Sequence, residues 1–171
     1  MLGLAACAAP PVADPRERGV PARAFDPVEV RAYVESEATR VLGPAPVAEA
    51  SAARTAVMLV LSQSLPPPWQ RPDGTWDYRG RPPTNVAVKR ASGWVEWKSG
   101  AAVAMAPDRA ARLDALLADP GFWAEPAYSP AEGCLDGGSL SIVVKARGRT
   151  RAARQVCGMH GRAEQLFRIL E

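Results

Sequence analysis

Apolar side chains recur at three- and four-residue steps in three stretches of the chain. Val30, Tyr33, Val34, Ala38 and Val41 do so between Pro27 and Leu42, and Ala110, Leu113, Leu116 and Leu117 do so after Pro107. Ala163, Leu166, Phe167 and Leu170 repeat the pattern between Arg162 and Leu170. That spacing gathers each set on one face of a helix. The boundary residues agree with it. Asp26-Pro27 supplies an N-cap and a proline at the first helical position, and Gly43-Pro44 is a stop signal. Asp119-Pro120-Gly121 ends the second helix, with Phe122 and Trp123 packing that corner onto the sheet.

Elsewhere the period is two. From Ser139 to Ala146, Leu140, Ile142 and Val144 alternate with Ser141, Val143 and Lys145. Arg147-Gly148 is a turn signal, and Arg149 to Cys157 runs back as the partner strand. Thr84 to Lys89 and Gly93 to Lys98 predict a second hairpin around Ala91-Ser92-Gly93, with Ala101 to Met105 as a candidate third strand. Ala48 to Ser62 is ambiguous. Its front is alanine-rich, and Thr55 to Leu61 has the composition of a buried strand. Leu65 to Pro83 holds six prolines and predicts a long irregular loop. Short links make neighbouring strands antiparallel. The expected fold is α+β: an antiparallel sheet of about five to six strands with three helices packed mainly on one face.

Composition narrows the picture. A chain of 171 residues suits one domain with a core of its own, and 23% charged residues exclude wholesale disorder. The 17 prolines are about twice the usual share and mark linker and loop. The net charge of +3 is mild and mostly arginine, which argues against a nucleic-acid partner. The longest strongly apolar run, Ala56 to Leu61, is far short of a membrane span.

The three cysteines are Cys7, Cys134 and Cys157. Leu4-Ala5-Ala6-Cys7 is a branched apolar residue, two small ones and a cysteine, and it resembles the lipobox of bacterial lipoproteins. The resemblance covers four residues and implies that Cys7 carries a lipid after cleavage before it. Residues 1–6 are then the remnant of a signal peptide, since they lack the charged start and apolar stretch of a complete one. Residues 7–25, with Pro10, Pro11, Pro15 and Pro21 among charges, read as a tether. Residues 26–171 form a single domain. Ala8 after the cysteine implies outer-membrane sorting in a Gram-negative cell. A plain secretory leader, giving a soluble periplasmic or secreted protein, is the alternative.

Cys134 and Cys157 flank the open end of the Ser139–Cys157 hairpin. In an oxidising compartment they can form a disulfide closing a loop of about 24 residues, worth about 3 kcal/mol in the chain-entropy model. Two reduced buried cysteines are the competing reading. With one histidine, the cysteines make a poor zinc site, and no metal or other cofactor is expected.

No nucleophile motif is present. His160, the sole histidine, reads as a loop or N-cap residue, and Glu132 with Asp136 as a turn rather than a hydrolytic pair. No catalytic residue is therefore assigned. Two features can carry recognition. Trp69, Trp76 and Tyr78 stand on the proline-stiffened loop, where aromatics can stack on sugars or receive a peptide. Lys145, Arg147, Arg149, Arg151 and Arg154 line the cysteine hairpin and suit a phosphorylated glycolipid or an anionic polymer. Arg149 and Arg151 share one strand face. The aromatic loop is the favoured site, because stiff prolines lower the entropy cost of presenting a side chain. The expected protein is a lipid-anchored, non-enzymatic envelope domain that binds a polymer or protein. A secreted inhibitor or accessory domain is the runner-up, and a carboxylate hydrolase is third.

Overall fold

The computed structural model describes residues 26–62, 69–70, 76–77, 84–98, 100–129, 138–156 and 159–171. Asp26 caps helix α1 (Pro27–Leu42), accepting from the Val28 amide at 2.8 Å. Gly43, at φ +88°, closes α1 with its N–H on the Thr39 carbonyl. Pro44 then opens α2 (Pro44–Ala52), so the alanine-rich half of the ambiguous stretch is helical. The apolar half is β1 (Ala56–Ser62). The stretch expected to be irregular throughout contains a small ladder, β2 (Trp69–Gln70) against β3 (Trp76–Asp77). The first hairpin is β4 (Thr84–Arg90) and β5 (Gly93–Trp97), extended by β6 (Ala102–Ala104). Helices α3 (Pro107–Ala118) and α4 (Pro120–Ala124) share Asp119, which ends one and caps the other. The two-residue β7 (Tyr128–Ser129), then β8 (Ser139–Ala146), β9 (Arg149–Val156) and α5 (Gly161–Leu170) complete the fold.

One sheet runs β6-β5-β4-β1-β8-β9-β7. All its pairs are antiparallel except β7 with β9, which is parallel. The class is α+β, as the strand pattern implies. The helices number five among the described residues, and they cover both faces rather than mainly one. Val57 and Leu59 of β1 join Leu140, Ile142 and Val144 beneath α3, α4 and α5. Ala56, Met58 and Val60 join Val86, Val88 and Val143 beneath α1 and α2. The reason is in β1 itself. Its apolar run does not alternate, so each face presents apolar side chains and each needs a cover. Among the described residues no helix is long and apolar enough to cross a membrane.

Candidate anion-binding site

The β8–β9 hairpin is in register from Ser139 opposite Val156 to Ala146 opposite Arg149. Arg147 and Gly148 turn the chain with φ +54° and +73°, positive at both positions as a tight type I′ hairpin requires. The ladder ends at the residue before Cys157, but Cys134 and Cys157 themselves lie outside the described residues.

Strand β1 pairs with β8 so that Ala56 stands opposite Lys145. The connection from α2 into β1 therefore runs beside the hairpin tip. Between them is a depression of about 650 Å³, lined by residues 53–55, Lys145 and residues 147–150. Its charged side chains are Arg54, Lys145, Arg147 and Arg149, and no carboxylate lines it. Lys145 is held by the Ser51 carbonyl, to which its Nζ donates at 2.6 Å. Arg149 lies over the Trp123 ring, 4.7 Å from its centroid. Arg54, Arg147 and Arg149 are exposed and have no ion pair among the described residues. Four cations around one concavity, none with an ion pair among the described residues, attract an anion, and the three arginines offer forked donors to phosphate oxygens.

The other hairpin arginines are elsewhere. Arg151 shares its strand face with Arg149, yet only 8% of it is exposed. Its guanidinium stacks over Phe122, 5.0 Å from the ring centroid, and donates to the Phe122 and Pro126 carbonyls. Glu125 Oε2 is 3.7 Å away. Burial lowers its pKa and the Glu125 charge opposes that shift. Arg151 fastens α4 and the segment after it to the sheet, so it is not presented for recognition as the sequence suggested. Arg154 points to the opposite face, over Tyr33 at 5.6 Å, and donates to Ser139 Oγ at 3.1 Å.

Asp119, Glu125 and Arg162 form a neighbouring ionic node. Arg162 Nε donates to Asp119 Oδ2 at 2.5 Å, and the Arg162 amide donates to Glu125 Oε1 at 2.8 Å. The Arg162 guanidinium, with the Gly121 N–H, holds the Asp119 carboxyl below the usual carboxylate range. Each acid is committed to a cation, which is an anchoring arrangement and not an acid–base pair. His160 is exposed at the start of α5, where its side chain makes no capping bond and Gln155 binds its backbone from both sides. Glu132 and Asp136 lie outside the described residues. So do Cys7, Tyr78 and the side chains of Trp69 and Trp76, whose backbones carry the β2–β3 ladder with Gln70 opposite Trp76. Among the described residues, no group of three His, Cys, Asp or Glu is placed to hold a metal ion.

Arg54 is the residue that sequence reasoning missed. It precedes the apolar run of β1 by two positions, and only the non-local β1–β8 pairing brings it to the hairpin tip. Compared with protein-family models, curated proteins and solved structures, the chain matches none of them.

Proposed function

We propose that this chain is a lipid-anchored, non-enzymatic binding protein of a bacterial envelope. In this reading Cys7 carries the lipid, residues 7–25 are the tether, and the domain captures a phosphate-bearing envelope component at the β8–β9 tip. The observation that carries it is the depression lined by Arg54, Lys145, Arg147 and Arg149 without a carboxylate. The lipobox-like Leu4-Ala5-Ala6-Cys7 supports the anchor, and the bridge between Cys134 and Cys157 belongs to the same oxidising compartment.

Three measurements test it. With a complete export signal placed ahead of the chain, Cys7→Ser is expected to abolish acyl labelling and release the protein from the membrane fraction. A mutant that fractionates like the parent rejects the anchor and leaves the soluble periplasmic or secreted alternative. Labelled inorganic polyphosphate is expected to bind the Cys7→Ser protein at low salt. Replacing Arg54, Arg147 and Arg149 together with Ala is expected to weaken that binding about 1,000-fold or more, since each of the three charge-assisted contacts contributes about 1.5 kcal/mol or more. Unchanged binding rejects the site. Thiol titration of the unfolded, non-reduced protein is expected to find Cys134 and Cys157 unreactive, and two free thiols reject the bridge.

A further inference from the structure

We infer that the cationic depression docks on the anionic lipid surface of the same membrane that holds the Cys7 lipid; this rests on the reading just given and names its ligand. The first observation is where the chain enters the fold. Pro27, the first residue of α1, lines a second depression of about 260 Å³ with Trp123, Arg149, Thr150 and others. Arg149 and Thr150 also line the cationic one. The two depressions thus share Arg149 and Thr150, and Pro27, where α1 begins, stands in the same depression as one arginine of the cationic set.

The second observation is apolar. Val28 is 71% exposed in the first turn of α1, one of two large hydrophobic side chains so placed among the described residues. Half-buried Trp123 stands in the same depression as Pro27. Asp26 and Glu29 flank Val28 and Glu125 shares the depression with Trp123, so the apolar groups border the arginines at an edge where acids are also present, and the cations at the hairpin tip carry the attraction to a headgroup layer.

Geometry supplies the third argument. Asp26 is nineteen residues on from Cys7, so the lipid and the domain are at most about 65 Å apart. A surface confined within that distance meets the patch at high effective concentration. The lipid on Cys7 holds the chain at the bilayer, and each cation of the patch near an anionic surface strengthens the docking of the domain about fivefold. Docking would also set the domain's orientation, because the tether and the cations engage the bilayer from one side.

The test uses the full chain carrying Cys7→Ser, so that any association comes from the protein surface. Co-flotation is measured with phosphatidylcholine vesicles, with and without phosphatidylglycerol, beside titrations with labelled inorganic polyphosphate and a duplex DNA. Binding to the phosphatidylglycerol vesicles, absent on phosphatidylcholine and lost at high salt, is the expected result. It should weaken about 100-fold in the Arg54→Ala/Arg147→Ala/Arg149→Ala variant, at about fivefold for each cation near the surface. The corresponding Arg→Lys triple should keep most of it, since the attraction is one of charge. Melting curves of both triples identify any loss that comes from unfolding. Polyphosphate binding without vesicle binding overturns membrane docking and leaves the phosphate-recognition reading standing. Binding to neither overturns both. Vesicle binding that survives the Ala triple, or tighter binding to the duplex than to the vesicles, also overturns the inference.

Discussion

Arg149 and Arg151 are two residues apart on one strand and point to the same face, yet they live in different environments. Arg149 is exposed, lies over Trp123 and has no ion pair among the described residues. Arg151 is buried, stacked on Phe122 and bound to two backbone carbonyls. The difference comes from α4 and the segment after it, which cover β9 at Arg151 but put only the Trp123 ring beside Arg149. Arg109 behaves like Arg151. It clasps buried Glu96 through two bonds of 2.6 and 2.9 Å and donates its Nε to the Ile169 carbonyl. Arginines inside this fold cross-link elements, whereas those at the β8–β9 tip are free to meet something outside. One residue type serves both uses, because a guanidinium offers five donors to whatever acceptors surround it.

This contrast can be broken at either end. The largest effect is expected from Arg109→Ala, which leaves the buried Glu96 carboxylate with only Lys98, at 3.7 Å, as a partner. A loss of about 3–5 kcal/mol in chemical denaturation is expected. Arg151→Ala comes next, at about 3 kcal/mol, because two carbonyls lose their donor and Glu125 loses the cation 3.7 Å away. A loss under about 1 kcal/mol would show Arg151 to be no anchor. Gly161→Ala should cost about 2 kcal/mol. Gly161 has φ +62°, and a Cβ there would stand 2.6 Å from Glu125 Oε1, disturbing the node that receives α5.

The acid side of the stability profile sharpens the comparison further. Asp119 has a folded pKa below its unfolded value, so its contribution is present above that unfolded value, about 3.9. It is lost as pH falls through the lower folded value. Asp119→Asn keeps an oxygen for the Gly121 cap and removes the titration. Its stability should therefore fall less steeply with acid, though not flatly, since Glu49 and Asp114 also titrate below their ordinary values. Equal acid slopes in parent and variant would mean that the Asp119–Arg162 pair does not couple to folding. The smallest effect belongs to Arg149→Ala. Stability should change by no more than about 0.5 kcal/mol, because an exposed stacking contact on Trp123 is all that is lost. A larger loss would move Arg149 into the anchoring group and shrink the proposed site.

Much of the architecture is legible in the sequence. The α1 and α5 stripes, the two hairpins, the Arg147-Gly148 turn and the placement of Arg149 and Arg151 on one face all follow from local periodicity and turn chemistry. Helix α4 was missed although Asp119-Pro120 carries the start signal of a helix, because the same residues also end α3. The candidate site was half legible. Spacing along the hairpin groups Lys145, Arg147 and Arg149 as a basic set, but nothing local attaches Arg54 to them or separates Arg151 from them.

What the sequence by itself determined is therefore local: which segments coil, which alternate, where the chain turns, and which side chains share a face. These depend on interactions a few residues apart, which the order of residues encodes directly. The tertiary structure decided the rest. The helices divide between the two faces because β1 lies between β4 and β8 with apolar side chains on both sides. Arg54 meets the hairpin tip through the pairing of Ala56 with Lys145, between residues 89 positions apart. Arg151 is buried, and Arg149 left to the solvent, by where α4 and its following segment come to rest. Whether a charge is anchored or available depends on what covers it, and that cover is chosen by contacts distant in the chain.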